Sequence, residues 1–296
     1  MRSKSPLLPA PASPLQAALI FAGTSMVFFG CLYIALPLLR KIGASWFICF
    51  NMVLALPMFL LVLFALSAYK REGHALRWPA LRDRFRLGRM NISSWVWTVG
   101  LAIFMFGGRY ADVAALSVTL LALGLDTELT RQKKLRTMVL VAMFIGASWL
   151  LWLTQPFFAT ITLHRFPQVV QDFLTHLNNP SSFMDIPLRG HWWIAIYYAV
   201  VLLAGNIAGE ELWWRGYLLP RQEVASGPRA WIYHGSLWAG FHLFLQMTAW
   251  DLIRMMPTCC ALAFVAQHRK STWPGVFAHT AGNLGIMIGI IRGIAA

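Results

Sequence analysis

Apolar residues in this chain come in long blocks, separated by short polar and mostly basic stretches. The blocks are Leu15–Leu39, Ser45–Tyr69, Met138–Phe158, His191–Ala208, Trp231–Trp250, Leu252–Ala266 and Trp273–Ile291. Most approach the roughly 20 residues that a helix needs to cross a hydrocarbon core about 30 Å thick. Pro37 and Pro57 fall inside the first two blocks, as kinks that a membrane bundle tolerates. Residues 93–125 can be read in two ways. One helix would overrun the hydrocarbon core, whereas a hairpin of Ser93–Gly108 and Ala111–Leu125 would have short arms. The basic residues Arg131, Lys133, Lys134 and Arg136 that follow favour a hairpin returning to the same side, and Arg109 and Asp112, three apart, would pair on one helix face. The pattern predicts an all-α fold, a polytopic transmembrane helix bundle of about 8 helices. It has a short N-terminal tail (1–14) and a single membrane-embedded domain (15–296). Residues 159–190, punctuated by Pro167, Pro180 and Pro187, read as a loop with a short amphipathic helix around 168–178.

Composition agrees with this pattern. The chain has 296 residues, of which 58% are hydrophobic and 12% charged, about half the charged fraction of a soluble domain. The net charge of +14 raises the question of nucleic acid. The basic residues, however, stand in links between apolar runs, where the positive-inside tendency puts them, so no nucleic-acid partner is expected and the basic groups face lipid headgroups. The link Lys70–Arg89, with Arg71, Arg77, Arg82, Arg84, Arg86 and Arg89 against Glu72 and Asp83, is accordingly cytoplasmic. The segment 159–190, with Arg165 and Arg189 balancing Asp172 and Asp185, belongs on the other side. Cys31, Cys49, Cys259 and Cys260 lie within or at the ends of apolar runs and show no CxxC or zinc-like spacing, which makes them small apolar fillers.

Two of the chain's eleven acids stand side by side at Glu210 and Glu211, at the end of an apolar run, where each ionised carboxylate is costly. Helical geometry gives them different roles. Glu211 and Arg215 are four apart on one face and form a structural ion pair. Glu210 has no local counter-ion and faces Asn206 one turn back, an environment that suits either a carboxylate pointing into headgroups at a helix end or a general base. Downstream, Trp238-Ala239-Gly240-Phe241-His242 places an imidazole in mid-span, where it either bridges helices or does chemistry. His279 and Asn283, four apart, present an imidazole and a carboxamide on one face, able to bridge helices or to line an oxyanion site. A carboxylate, two imidazoles and an amide on separate helical segments are the parts a hydrolase needs.

Three motifs in this order resemble the CPBP (CAAX protease and bacteriocin-processing) family of glutamic-type intramembrane endopeptidases. Glu210-Glu211-Leu212-Trp213-Trp214-Arg215 fits EExxxR, Trp238 to His242 fits an aromatic-xxx-His pattern with Trp where Phe is commoner, and His279 to Asn283 fits HxxxN. The resemblance covers about residues 200–285, with a catalytic core at about 191–292. It implies hydrolysis of a peptide bond in a membrane-associated protein or peptide. Glu210 and His242 would activate water, His279 and Asn283 would stabilise the oxyanion, and Glu211 with Arg215 would hold the architecture. The family's description as metalloproteases raises a zinc alternative, but the chain has no HExxH and lacks an adjacent ligand pair, so no cofactor is expected. The expected setting is the lipid bilayer, as a multi-pass protein of the bacterial inner membrane. The alternative function is a non-proteolytic membrane protein of the same fold, acting in transport or as a scaffold component.

Overall fold

In a computed structural model, residues 9–106, 109–127, 129–158, 166–245 and 249–296 are described, and they are almost entirely helical. Helix α1 (Pro14–Lys41) starts at Ser13, whose hydroxyl accepts from Gln16 N while the Gln16 side chain reaches back to Ser13 N, a capping box that satisfies two orphan donors. Helix α2 (Trp46–Arg71) starts at Ser45, whose hydroxyl accepts from Ile48 N, a simple N-cap. Short α3 (Trp78–Arg84) leads into α4 (Ile92–Phe106) and α5 (Arg109–Leu125), followed by the long α6 (Arg131–Phe158) and by α7 (Gln168–Leu177). A two-stranded antiparallel hairpin, β1 (Ser182–Phe183) with β2 (Ile186–Pro187), precedes the last four helices. The path α8 runs over 192–226, followed by α9 (Ala230–Phe241), α10 (Ala249–Arg269) and α11 (Trp273–Ala295).

The hairpin reading of 93–125 holds. Helices α4 and α5 pack on one another so closely that a Cβ at Gly100 would meet the Thr119 hydroxyl at 3.0 Å. The Arg109–Asp112 pairing, and Asn206 as the neighbour of Glu210, concern side chains outside the described residues. The amphipathic helix expected around 168–178 is α7. Its apolar residues Val170 and Phe173 are buried against Trp46 and Phe183 in a cluster at one end of the bundle.

Among the described residues, Pro14–Lys41, Trp46–Arg71, Arg131–Gln155 and Trp273–Ala295 are long and apolar enough to cross a bilayer, with Ile92–Met105 and Ala114–Leu125 as shorter apolar helices. The expected spans His191–Ala208, Trp231–Trp250 and Leu252–Ala266 are not simple membrane rods. The first opens into π turns and runs on through charged residues to Ser226. The second ends as an α-helix at Phe241, where a 3₁₀ turn over His242–Phe244 follows, so His242 caps a helix instead of lying in mid-helix. The third begins earlier, at Ala249, and takes in Asp251 and Arg254.

Several of the π segments have a covalent cause. The π turns Gly30–Ala35, Asn51–Ala55 and Glu211–Leu218 each end two residues before a proline, at Pro37, Pro57 and Pro220. Proline removes an N–H and its ring crowds the carbonyl one turn back, and a wider turn just upstream gives that carbonyl room. In α8 two π segments, Val201–Ile207 and Glu211–Leu218, bracket the single α turn Ala208–Glu210.

The basic end of the bundle is cross-linked by its few acids. Glu72 accepts from Arg84 Nε at 2.9 Å and from Arg221 Nη1 at 2.9 Å. Glu223 binds Arg86 at 2.6 Å and also Lys270, and Asp126 binds Arg269. Thr272 ties the start of α11 to Phe85 O at 2.7 Å. At the opposite end lie α7, the β-hairpin, and the α1–α2 turn, where Trp46 stacks on His176 at 4.6 Å.

Candidate active site

Helices α8, α9 and α11 meet around the two adjacent glutamates, and close backbone approach makes this possible. A Cβ on Gly209 would lie 2.5 Å from the Met58 carbonyl oxygen of α2, and one on Gly235 would lie 2.5 Å from Cys260 Cα of α10. On α11, a Cβ on Gly275 would overlap the Glu211 Oε2 atom. Glycine at these positions lets the helices approach within reach of short side-chain contacts.

Glu211 is fully buried, as is Arg215, whose Nη1 donates to Glu211 Oε1 at 3.0 Å. The expected i, i+4 ion pair is therefore present, but it is not isolated. His279 Nδ1 lies 3.0 Å from the same Oε1 atom, so Glu211 ties α8 to α11 as well as neutralising Arg215. The Arg215 guanidinium also sits 3.6 Å above the Trp238 ring, a cation–π contact worth more when desolvated.

Glu210 has a partner that the sequence argument missed. Trp238 Nε1 donates to Glu210 Oε2 at 2.8 Å, from α9 to α8. The indole N–H satisfies one carboxylate oxygen but brings no positive charge, so Glu210 keeps its hydrogen-bond geometry without being neutralised. The clue was in the sequence: Trp238 is the aromatic position four residues before His242. Gly275, four residues before His279 on the same face of α11, is the second missed position.

The two histidines are oriented by their Nδ1 atoms. His242 Nδ1 lies 2.8 Å from the Trp238 carbonyl oxygen. A carbonyl only accepts, so Nδ1 carries the proton and Nε2 is left with its lone pair in the neutral ring. His279 Nδ1 likewise faces a carboxylate oxygen. Asn283 spends one amide donor on the His279 carbonyl, at 3.2 Å, leaving its second N–H and its oxygen for other partners.

Glu210, His242, His279 and Asn283 all line one cavity of about 310 Å³. Its remaining wall is largely apolar, with Leu32 and Met58 from the first two helices and Val170, Phe173 and Leu177 from α7. Every residue assigned to catalysis from the sequence thus borders the same space, while Glu211 and Arg215 sit behind it. Among the described residues, no group of three or more His, Cys, Asp or Glu side chains is arranged to hold a metal ion.

Residues 191–285 match the family model described as type II CAAX prenyl endopeptidase Rce1-like, about a third of the chain. Comparison with curated proteins and with solved structures gives no match. The matched segment holds all three motifs and every catalytic candidate, and over it the chain is similar to the type II CAAX prenyl endopeptidases that the family model describes.

Proposed function

We propose that this protein is an intramembrane endopeptidase that hydrolyses a peptide bond of a membrane-associated protein in the cavity between α8, α9 and α11. The observation that carries the reading is that Glu210, His242, His279 and Asn283 border one largely apolar cavity.

In this reading a water molecule lies between Glu210 and His242. Among the described residues Glu210 has no counter-charge at hydrogen-bond distance, and His242 offers an Nε2 lone pair, so the two can take the proton as water attacks the scissile carbonyl. The oxyanion then needs N–H donors. Asn283 has one spare amide N–H. His279 has its Nδ1 committed to Glu211, so it can donate only through Nε2, which requires the imidazolium form. Glu211 supplies the counter-charge for that form. With Glu210 and Glu211 ionised, Arg215 and the His279 imidazolium balance them, so the buried cluster is neutral overall, the condition under which buried charges are tolerated. The proton held by His242 or Glu210 passes to the leaving amine.

The same residues bear on the zinc alternative. His279 and His242 each turn Nδ1 to a protein oxygen, which leaves Nε2 of both rings facing other partners, an arrangement that serves water activation and metal ligation alike. The reading proposed here uses protein groups alone to activate water, in a bacterial inner membrane as the proposed setting.

The test compares the membrane proteome of cells carrying the native protein, Glu210→Gln or His242→Ala. The expected result is at least one membrane protein that stays uncleaved in both variants, each of which accumulates as a folded protein. Processing that survives both substitutions overturns the reading.

A further inference from the structure

A second cavity, of about 350 Å³, adjoins the catalytic one and shares Leu177 and Ile286 with it. It is lined by Asn178, Asn179 and Ser182 on one side and by Gly285 and Gly289 of α11 on the other. A Cβ on either glycine would meet nothing within 4 Å. Along α11 the lining passes from His279 and Asn283 to Ile286, which borders both cavities, and turns round the helix to Gly285 and Gly289, away from the catalytic groups. From Asn283 to Gly289 is about 9 Å at 1.5 Å per residue.

This passage leads toward the end of the bundle that holds α7 and the β-hairpin. The opposite end carries Arg71, Arg77, Arg82, Arg84, Arg86 and Arg89 before α4, the cluster Arg131 to Arg136 at the start of α6, and Arg221, Arg229, Arg269 and Lys270 between the later helices. The α7 end has fewer bases, Arg40, Lys41, Arg189, Arg254 and Arg292, and it also carries Asp172, Asp185 and Asp251. The positive-inside bias therefore puts the arginine-rich end in the cytoplasm and the passage on the other side.

We propose that substrate reaches the catalytic cavity from the non-cytoplasmic side, along the Gly285–Gly289 face of α11. The bond cut then lies at the non-cytoplasmic end of a membrane protein's helix and not in a cytoplasmic tail. The chemistry of the passage suits an extended peptide. A protease acts on unwound backbone, whose free N–H and C=O groups cannot face lipid and need a polar lining. Asn178, Asn179 and Ser182 supply donors and acceptors there, and the absence of side chains at Gly285 and Gly289 leaves room for a backbone. The apolar wall of the catalytic cavity beyond takes the side chains next to the scissile bond. This inference rests on the catalytic reading above for what is cut, and on charge and cavity geometry alone for the side of access.

Two experiments on the full-length protein in cells separate these supports. In a background with the four cysteines changed to alanine, Ser182→Cys, Gly289→Cys and Lys270→Cys are exposed to a membrane-impermeant maleimide. The expected result is labelling of Ser182→Cys and Gly289→Cys in intact cells, and of Lys270→Cys only after permeabilisation. Labelling of the two passage cysteines only after permeabilisation, or not at all, overturns the proposal whether or not the protein is a protease. In the second experiment, single-pass reporters carry a helix-breaking stretch at either the cytoplasmic or the non-cytoplasmic end. Cleavage is expected at the non-cytoplasmic stretch, to be abolished by Glu210→Gln, and to fall at least tenfold in Gly289→Trp and in Ser182→Trp. Cleavage at the cytoplasmic stretch, or full activity in both tryptophan variants, overturns the side of access. Cleavage that survives Glu210→Gln overturns the catalytic reading and leaves the labelling result to decide the side of access.

Discussion

Gly275 of α11 lies directly against Glu211 of α8, so close that a β-carbon would overlap the carboxylate Oε2 atom. The contact sets the separation of two helices whose side chains make the site, because His279, one turn further along α11, binds Oε1 of the same carboxylate. Gly275→Ala must push α11 away or displace Glu211. Overpacking of this kind costs about 1–3 kcal/mol, and the displacement is felt at His279. The expected outcome is a lower unfolding temperature in detergent, together with a loss of processing larger than the stability change explains. An alanine variant that unfolds and processes like the native protein removes this role for Gly275.

The two glutamates are expected to fail in different ways. Glu210→Gln keeps the shape and the Trp238 hydrogen bond but removes the carboxylate that takes a proton, so processing drops by about 10²–10⁴-fold with stability little changed. Glu211→Gln leaves the buried Arg215 without its partner, a loss of about 3–5 kcal/mol in comparable buried pairs. Thermal unfolding of both variants, beside their processing rates, distinguishes them. Equal loss of stability in the two would contradict the division of labour.

Trp238→Phe retains an aromatic face beneath Arg215 but deletes the N–H that binds Glu210 Oε2. Hydrogen bonds to charged groups are worth about 1.5–3 kcal/mol, and part of that serves to orient Glu210. Processing is expected to fall about 10- to 100-fold, less than for Glu210→Gln, and the protein is expected to fold. Single-turnover kinetics on a cleaved reporter measures this, and an unchanged rate would show that the indole N–H has no positioning role.

At the arginine-rich end, Glu72 has its pKa lowered. Burial alone would raise it, but hydrogen bonds and charge from Arg84, with Arg221 beside them, hold the carboxyl below its ordinary value near 4.5. A depressed folded-state value means that this stabilisation is fully present above the ordinary carboxylate range and is lost as pH falls through the folded value. Unfolding temperature is therefore expected to fall as the buffer is taken below about pH 4.5, and the Glu72→Gln variant should lose part of that dependence. Identical acid profiles for the two proteins would exclude Glu72 as a contributor.

The sequence by itself determined the class of fold and the identities of the chemical groups. Blocks of apolar residues dictate helices, because a backbone in lipid must satisfy its hydrogen bonds internally. The four-residue spacing of Glu211 and Arg215 put both on one helix face, and the pair is there. The same spacing of His279 and Asn283 also survives in the structure. Such relations follow from the period of a single helix, so they can be read without knowing its neighbours.

What lies between helices was decided only by the tertiary structure. The Trp238–Glu210 hydrogen bond and the sharing of Glu211 by Arg215 and His279 join residues 28 and 68 positions apart, and no local period encodes such distances. The break of α9 at Phe241, which turns His242 from a mid-helix residue into a cap, depends on packing rather than on hydropathy. Gly275 reads in sequence as an ordinary small residue, and only the approach of α8 shows why a side chain there would collide with the carboxylate. Helical periodicity supplied the candidate catalytic groups one helix at a time; the close crossing of three helices gave them a common cavity.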